Sequence, residues 1–154
     1  MASSGSDGLR LTQELKDLIN GAADNGSPMV LAVVNEKGEP RLSFRGSAQV
    51  FGDDQIGLWV RNTGGETLSA VRTNPNAALM YRSATTPMMQ FSGRIRIADD
   101  PAERDRVFES APPRERASDP DRKGVALVID LDKVEGVLRI SPEGPEFVKM
   151  LRTA

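Results

Sequence analysis

The stretch MVLAVVNEKGEPRLSFRGSAQVF, residues 29–51, decides the fold class of this chain. It begins with a short apolar, β-branched run, Met29–Val34, and passes through a turn signal around Gly38. Apolar and polar residues then alternate over Arg41–Phe51, which predicts one strand with two unlike faces. The apolar face would carry Leu42, Phe44, Ala48 and Val50, and the polar face Ser43, Arg45, Ser47 and Gln49. Connections this short predict antiparallel pairing, because parallel strands need long crossovers.

Short strands and small helices follow in close succession on both sides of this hairpin. Further strands are predicted over Ile56–Arg61, Ala77–Tyr81, Met88–Ala98 and Val125–Leu131, with Val134–Ile140 continuing the last one. Helices are predicted over Leu9–Ile19, Glu66–Thr73, from Asp100-Pro101 to Phe108, and over Glu146–Leu151. Residues 110–123 are predicted to be an exposed loop, and residues 1–8 a disordered tail. About six strands in this order predict a mainly β chain, with an antiparallel barrel or tightly curled sheet.

The composition excludes several classes of function. The chain has 154 residues, the size of one ordinary domain, so residues 9–154 are expected to form a single unit. It contains no Cys and no His, which excludes disulfides, thiolate nucleophiles, Cys-ligated zinc, serine–histidine triads and His-ligated haem. No metal site is predicted. An enzyme of this composition would draw its reactivity from an organic cofactor or from carboxylates, Arg, Lys and hydroxyls.

The charge balance argues against nucleic acid and membrane partners. Lys and Arg together number 20 and Asp and Glu 22, a net charge of −2, whereas electrostatic nucleic-acid binders carry a basic excess. Most of the cations are arginines, whose planar fork suits a local phosphate site. No stretch approaches the length of a membrane span, and the start MASSGSDGLR lacks the apolar core of a signal peptide. The chain is therefore predicted to be cytoplasmic.

Two segments are candidates for binding an anion. On the predicted strand, Ser43, Arg45 and Ser47 alternate beside Gly46, which allows a close approach of the backbone to a ligand; the alternative is an ordinary solvated face. The second segment, RNTGGET at residues 61–67, joins a strand to a helix start. Unpaired N–H groups and a partial positive charge at a helix start can hold phosphate. The alternative is that Gly64-Gly65 only makes a turn and that Glu66 complements the helix dipole.

Together these segments resemble the pyridoxamine 5′-phosphate oxidase-like family, the FMN-binding split barrels. The resemblance runs from about Leu9 to Ile140 and is carried by VLAVVNEKGEPRLSFRGSAQVF, IGLWVRN, TGGETLSAVRTNPNAALMYR and MMQFSGRIRIA. It implies a split barrel of six to seven antiparallel strands with short flanking helices. It also implies a homodimer with FMN in the cleft between the two barrels. Arg45 would meet the FMN phosphate, Gly46, Ser47, Val60, Arg61 and Asn62 would line the cofactor, Thr67 would lie at its phosphate end, and Gln90 would reach it from the other protomer.

The chain also departs from the family pattern. True pyridoxamine phosphate oxidases have a basic pair at the helix start, where this chain has Glu66-Thr67, and a C-terminal Arg and His that contact substrate. Haem-handling relatives use a His ligand, which this chain lacks. The expectation is therefore an FMN-dependent oxidoreductase of unknown small-molecule substrate, with no catalytic residue identified. The alternatives are a reductase that uses the deazaflavin F420, and a non-enzymatic module that binds a flavin or another small anion.

Overall fold

The structure, a computed structural model, describes residues 2–3 and 8–153. Its strands are β1 (Ala2–Ser3), β2 (Met29–Val34), β3 (Pro40–Arg45), β4 (Gln49–Gly52), β5 (Gln55–Val60), β6 (Asn76–Tyr81), β7 (Met88–Ile97), β8 (Val125–Ser141) and β9 (Gly144–Leu151). Its helices are α1 (Gln13–Gly21), α2 (Glu66–Thr73), α3 (Pro101–Ser110) and α4 (Pro113–Ala117).

The strands form one curled sheet in the order β1-β9-β8-β7-β6-β2-β3, with β5 pairing β8 and β4 pairing β5. Every pair is antiparallel except β1 with β9. The long strand β8 organises the sheet: β5 pairs with its first part, over Val125–Asp130, and β9 with its second, over Lys133–Ser141. Two strands thus diverge from one edge of β8 while β7 follows the other edge. This confirms the predicted mainly β, antiparallel split-barrel fold.

Two hydrophobic clusters lie on opposite faces of β5 and β8. The main core fills the curl of the sheet and takes in Leu58 and Ile129, both fully buried. A smaller cluster beneath α3 contains Trp59, Phe108 and Val128. The Trp59 and Phe108 rings meet edge to face, with centroids 4.8 Å apart. Burial on both faces explains why the start of β8 is an almost uninterrupted apolar run.

The prediction of a single strand over Arg41–Phe51 is wrong. β3 ends at Arg45, residues 46–48 turn, and β4 begins at Gln49. The Ser47 hydroxyl donates to the Trp59 carbonyl and accepts from the Trp59 N–H, both at 3.0 Å, and so fixes this turn to β5. The turn breaks the alternation, so the predicted apolar face does not continue across it. Leu42 and Phe44 are 72% and 73% exposed, whereas Ala48 is buried.

The predicted closing helix over Glu146–Leu151 is also wrong, because these residues belong to β9. Val148 and Met150 face the core, while Phe147, Lys149 and Leu151 point outward, so the segment alternates with period two. Smaller differences concern α4, a short helix within the predicted loop 110–123, and α1, which starts at Gln13 rather than Leu9. Thr12 caps α1: its Oγ1 accepts a hydrogen bond from Leu15 N at 3.2 Å.

Most of the predicted disordered tail lies outside the described residues, since residues 1 and 4–7 are not part of them. The tail therefore stays a prediction. Among the helices that the structure describes, none is long and apolar enough to cross a membrane.

The outer face of the sheet carries apolar side chains that the protomer leaves uncovered. Neighbouring strands align Phe44, Val30, Met80, Gln90 and Glu135 in one row across β3, β2, β6, β7 and β8. Exposed large apolar residues on this sheet are Leu42, Phe44, Met80, Ile140, Phe147 and Leu151. On the opposite face of the same strands, Leu79, Tyr81 and Phe91 lie in the protomer's own core.

Gly93 sets a sharp test of the β7–β8 register. It follows a register shift, and a Cβ atom there would lie 2.0 Å from the Asp130 carbonyl oxygen. We expect Gly93→Ala to lower the free energy of unfolding by about 3 kcal/mol, because backbone atoms of two paired strands must separate. The matched control is Gly21→Ala at the end of α1, where nothing lies within 4 Å of the new methyl group. Urea denaturation of both variants measures the difference, and equal stabilities would contradict this register.

Candidate functional site

Alternate residues of β3 face the start of α2 and form a small basic concavity, here called the cradle. Arg45 connects the two elements: its Nε donates to Ser43 Oγ at 3.1 Å, and its Nη2 donates to Thr67 Oγ1 at 2.6 Å. The cradle has a volume of about 150 Å³ and is lined by Val33, Arg41, Leu42, Ser43, Arg45, Asn62, Gly65, Glu66 and Thr67. It therefore combines two guanidinium groups with two hydroxyls and a helix start.

The N-terminus of α2 faces this cradle without a side-chain cap. Gly65 occupies the N-cap position and has no side chain to accept from the first-turn N–H groups. Glu66 lies in the first turn, yet its carboxylate accepts from Arg41 Nε at 2.8 Å and from Asn35 Nδ2 at 2.9 Å. The carboxylate is thus held toward the β2–β3 hairpin, and the helix start keeps donors available for an anion.

Arg45 carries a positive charge that none of the ion pairs of residues 8–153 neutralises. Burial lowers the pKa of its guanidinium, and the nearby carboxylate of Glu115 acts in the opposite direction. Arginine remains protonated under such shifts, so the group stays cationic. Among the ion pairs of residues 8–153 none includes Arg45, and its side-chain acceptors are the neutral hydroxyls of Ser43 and Thr67. A half-buried cation with neutral partners is suited to an anionic ligand.

A larger central cavity of about 300 Å³ opens beside the cradle and shares Arg45 and Asn62 with it. It is lined by Phe44, Arg45, Gly46, Ser47, Trp59, Arg61, Asn62 and Glu115. Trp59 contributes from β5, where its side chain is buried between the sheet and α3. The residues therefore come from β3, the turn after it, the end of β5 and α4.

Residues 111–124, here called the strap, cross from α3 to β8 and form one wall of the site. The strap is anchored by Asp119, whose Oδ2 accepts from Trp59 Nε1 and Gly124 N at 2.8 Å each. Its Oδ1 accepts from Lys123 N at 3.0 Å. Between the strap and the turn after β3 lies a strap cavity of about 510 Å³, lined by Ala23, Asp24, Pro28, Phe44, Gly46, Arg61, Pro112, Arg114, Glu115 and Ser118.

The structure brings six of the predicted site residues together. The cradle or the central cavity is lined by Arg45, Gly46, Ser47, Arg61, Asn62 and Thr67. Their grouping is a property of the fold, because they come from β3, the end of β5 and α2.

Two predicted residues, Val60 and Gln90, lie elsewhere, and Ser47 lines the central cavity with its hydroxyl already bonded to the Trp59 backbone in both directions. Val60 is buried in the main core. Gln90 lies on the outer face of β7, three strands from β3 or about 14 Å away, among Met88, Glu135 and Phe147. A role for Gln90 at this site would require a second protomer.

Sequence reasoning missed Arg41 and Glu115. Arg41 shares a face with Ser43 and Arg45 by strand periodicity, so the signal was present in the sequence. Glu115 lies on α4 within the segment predicted to be an exposed loop. No local pattern marks it, because its position depends on how the strap folds back over β5.

Comparisons with known proteins agree with this architecture. A sequence profile of the family described as Pyridoxamine 5′-phosphate oxidase matches residues 11–138. The General Stress Protein 26 from Bacillus anthracis str. Sterne is similar in structure, with a TM-score of 0.62 and 17% identity over 92% of this chain and 100% of that one. HupZ from Group A Streptococcus has a TM-score of 0.60 and 23% identity, covering 80% of this chain and 91% of that one.

An FMN-binding protein from Syntrophomonas wolfei subsp. wolfei has a TM-score of 0.56 and 15% identity, covering 79% of this chain and 85% of that one. At these identities the structural likeness shows the fold alone. Among curated proteins, none matches the sequence of this chain.

The Asp119 anchor predicts a specific pH dependence of stability. Burial raises the pKa of the Asp119 carboxyl, but hydrogen bonds from Lys123, Trp59 and Gly124 outweigh burial and hold that pKa below its ordinary value. A carboxyl whose pKa is depressed by folding stabilises the protein above its unfolded pKa of about 3.9, and this contribution is lost as pH falls through the folded value. We expect Asp119→Asn to lower the free energy of unfolding by about 2 kcal/mol at pH 7. The NH2 group of asparagine would replace one carboxylate oxygen and face N–H groups that need an acceptor.

The measurement is chemical denaturation of the wild type and Asp119→Asn between pH 7 and pH 3. The difference should be constant at neutral pH and shrink in acid, as the wild-type carboxyl becomes protonated. Asp121→Asn, an exposed change on the same strap, serves as the control and should show no such difference. A gap between wild type and Asp119→Asn that persists unchanged in acid would contradict the anchor.

Proposed function

The chain belongs to the pyridoxamine 5′-phosphate oxidase family, and on that premise we propose that it is an FMN-dependent oxidoreductase working as a homodimer. One observation carries the proposal: the cradle places Arg41, Ser43, Arg45 and Thr67 around the uncapped start of α2. This donor set matches the chemistry of a phosphate monoester.

The charges in the cradle support phosphate as the anion. A phosphate would accept from the Arg45 guanidinium, the Thr67 hydroxyl and the first N–H groups of α2. Glu66 adds a negative charge, but its carboxylate is paired with Arg41 and Asn35 and so does not face the anion as a free charge. The remaining cation, Arg45, would gain the counter-charge that its neutral partners do not provide.

The central cavity would hold the rest of the cofactor. Asn62 is common to the cradle and this cavity, and Gly46 leaves room there for a close approach of the backbone to a ligand. Bound FMN supplies two-electron redox chemistry, and the protein then provides position and electrostatics. Cavity walls from β5 and the strap would exclude water on that side. A chain without His and Cys fits this division of labour.

The outer face of the sheet supports the proposed homodimer. Leu42 and Phe44 on β3 and Met80 on β6 leave an apolar surface that a second copy would bury. Gln90 lies in the same row of the face as Phe44 and Met80. Packing two such faces together would bring Gln90 of each protomer against its partner, which is the arrangement expected if it reaches the partner's cofactor.

An F420-dependent reductase is the second candidate. The observation that favours it is that the basic lining continues beyond Arg45, through Arg61 in the central cavity to Arg114 in the strap cavity. A longer and more anionic cofactor tail would follow this line. Mass spectrometry of the small molecule that copurifies with the protein distinguishes the two cofactors. A colourless protein that takes up neither would support the non-enzymatic module instead.

Removal of Arg45 tests the phosphate site. We expect Arg45→Ala to weaken FMN binding by roughly ten- to a hundred-fold, because hydrogen bonds to a charged group contribute about 1.5–3 kcal/mol each. Arg45→Lys should recover part of this loss, since lysine keeps the charge without the fork. FMN fluorescence quenching on the stripped protein measures the affinity, and thermal melts check the fold. The control is Arg72→Ala, an exposed arginine in the last turn of α2. Equal affinities in wild type and Arg45→Ala would remove Arg45 from the site.

The dimer is tested on Met80, which lies on the outer face and lines neither the cradle nor the central or strap cavity. Light scattering should give the wild type twice the protomer mass of 16.7 kDa at micromolar concentration. Met80→Glu should shift the protein toward a monomer, because it places two like charges at a packed interface. FMN affinity should fall in the same variant, while Met80→Leu should behave as the wild type. A wild-type monomer at this concentration would contradict the dimer.

A further inference from the structure

A separate cavity lies at one end of the curled sheet, between α1, the loop 82–87 after β6, and the last part of β8. This mouth cavity has a volume of about 620 Å³ and is lined by Glu14, Leu18, Tyr81, Ala84, Thr85, Thr86, Pro87, Leu138, Arg139 and Ile140. All ten of these residues differ from those that line the cradle, the central cavity and the strap cavity. The mouths of barrels are a common place for small-molecule sites.

The inner face of β8 continues past the main core into the mouth cavity. Leu138 is 6% exposed and belongs to that core, whereas Ile140, on the same side of the strand, is 69% exposed. Leu18 of α1 is partly buried against the same core. Ala84 and Pro87 of the loop add further apolar surface. The core therefore ends in an apolar wall that the described part of the protomer leaves open.

Two buried residues with hydroxyl groups line this apolar space, Tyr81 and Thr86, which are 4% and 7% exposed. The Tyr81 hydroxyl accepts from Asn25 Nδ2 at 3.3 Å, and its own O–H has no acceptor among the described residues. Thr86 Oγ1 forms no hydrogen bond with another described residue. Every fully enclosed side-chain polar atom of the described residues has a partner, so Thr86 Oγ1 must reach open space. Two O–H donors are thus left for a ligand.

The charged side chains of the mouth cavity are already paired. Arg139, the cation of the lining, forms ion pairs with Glu14 and with Glu146. One guanidinium thus meets two carboxylates, so an anionic ligand would find no unpaired cation in this lining. An ammonium group would have to compete with Arg139 for Glu14. The lining therefore favours an uncharged ligand, which loses little hydration on entering an apolar space.

The loop 82–87 holds Thr86 by its backbone. Ser83 N donates to the Thr86 carbonyl at 3.0 Å, and Thr86 N donates to Ser83 Oγ at 3.1 Å. Both backbone groups of Thr86 are satisfied in this way, and its side chain is the part that remains for a ligand. A donor that is fixed before binding loses less conformational entropy when the ligand arrives.

We propose that the mouth cavity binds an uncharged small molecule with an apolar body and a carbonyl group. A carbonyl oxygen has two lone pairs and would accept from the hydroxyls of Tyr81 and Thr86. The apolar body would lie against Leu18, Leu138 and Ile140. This site is additional to the cofactor site, and it depends neither on FMN nor on the homodimer of the proposed function.

Three probes with the same phenylethyl body test the proposal: 4-phenylbutan-2-one, 3-phenylpropanoate and 4-phenylbutan-2-amine. They present a ketone, a carboxylate and an ammonium group in the same place. Calorimetric titration measures each affinity. We expect the ketone to bind at least about fivefold more tightly than either charged probe, because the cavity does not compensate the lost hydration of a charge.

Methyl NMR spectra locate the bound ketone. The signals of Leu18, Leu138 and Ile140 in the mouth cavity should shift as the ketone is added. Those of Val107 and Val128, in the cluster beneath α3, should stay in place.

Two variants remove the hydroxyls. Thr86→Val and Tyr81→Phe keep the shape of each side chain and delete its O–H group, and each should weaken the ketone by about three- to tenfold. The matched control is Thr73→Val, an exposed position on α2 outside the mouth cavity, which should leave the ketone affinity unchanged. Because Tyr81 and Thr86 are buried, a third variant leaves both in place. Ala84→Phe puts a ring at an exposed position of the lining and should weaken all three probes by about tenfold. Thermal melts check the fold of each variant.

Several outcomes would overturn the mouth site. These are no ketone binding at millimolar concentration, no preference over the charged probes, methyl shifts confined to the α3 cluster, or equal losses in Thr86→Val and Thr73→Val. FMN titration with and without the ketone runs in parallel, and the FMN affinity should not change, because the two sites share no lining residue. A wild type that does not bind FMN would refute the proposed cofactor without touching the probe data. Failure of the ketone alone would refute only the mouth site.

Discussion

Two walls of the candidate site, the turn after β3 and the strap, are held by hydrogen bonds to Trp59. Its backbone N–H and carbonyl hold the Ser47 hydroxyl, and this fixes the turn that ends β3 immediately after Arg45. Its indole N–H holds Asp119, which fixes the strap and therefore the position of Glu115. A single buried residue thus sets the distance between the cationic strand and the part of the strap that carries Glu115. Each of these hydrogen bonds is buried, so none can be exchanged for water without leaving a polar group unsatisfied.

Local sequence patterns predicted those elements of the fold that are determined by residues close together in the sequence. The apolar run of β2, the alternation along β3, the apolar start of β8 and the helix at Glu66–Thr73 depend on periodicity and turn residues, and the structure has them. β9 was mistaken for a helix because Phe147 and Leu151 face outward beside the inward Val148 and Met150. Apolar residues on both faces conceal a period of two, and the exposed apolar face is itself a property of the sheet surface.

The site was predictable to the extent that it lies on single segments. Arg45 and Thr67 were identified from a strand face, a helix start and the family resemblance, and they meet through a hydrogen bond of 2.6 Å. Glu115 was not identifiable, since its place depends on a contact between Asp119 and Trp59, 60 residues apart in sequence. The bonding of the Ser47 hydroxyl to the Trp59 backbone could not be predicted for a related reason. A hydroxyl beside a glycine on a polar strand face is typical of a ligand contact. Here the hydroxyl is instead bonded to the backbone of Trp59 on β5.

The placement of Phe44 would connect the proposed ligand binding to the proposed assembly. One side of its exposed ring belongs to the row of outward residues that includes Val30 and Met80, and the same residue lines the central and strap cavities. A second copy seated on the outer face would therefore contact a wall of the site. Any ligand that packs on this ring would then bind one assembly state more tightly than the other, and linkage requires that it shift the assembly equilibrium by the same factor. Since the cradle begins on the same strand, at Arg41, Ser43 and Arg45, the proposed anion site and the proposed interface share one structural element. The edge strand β3 has apolar residues on its outer face and arginines toward α2. A movement of β3 that changes the proposed interface would therefore also change the proposed anion site.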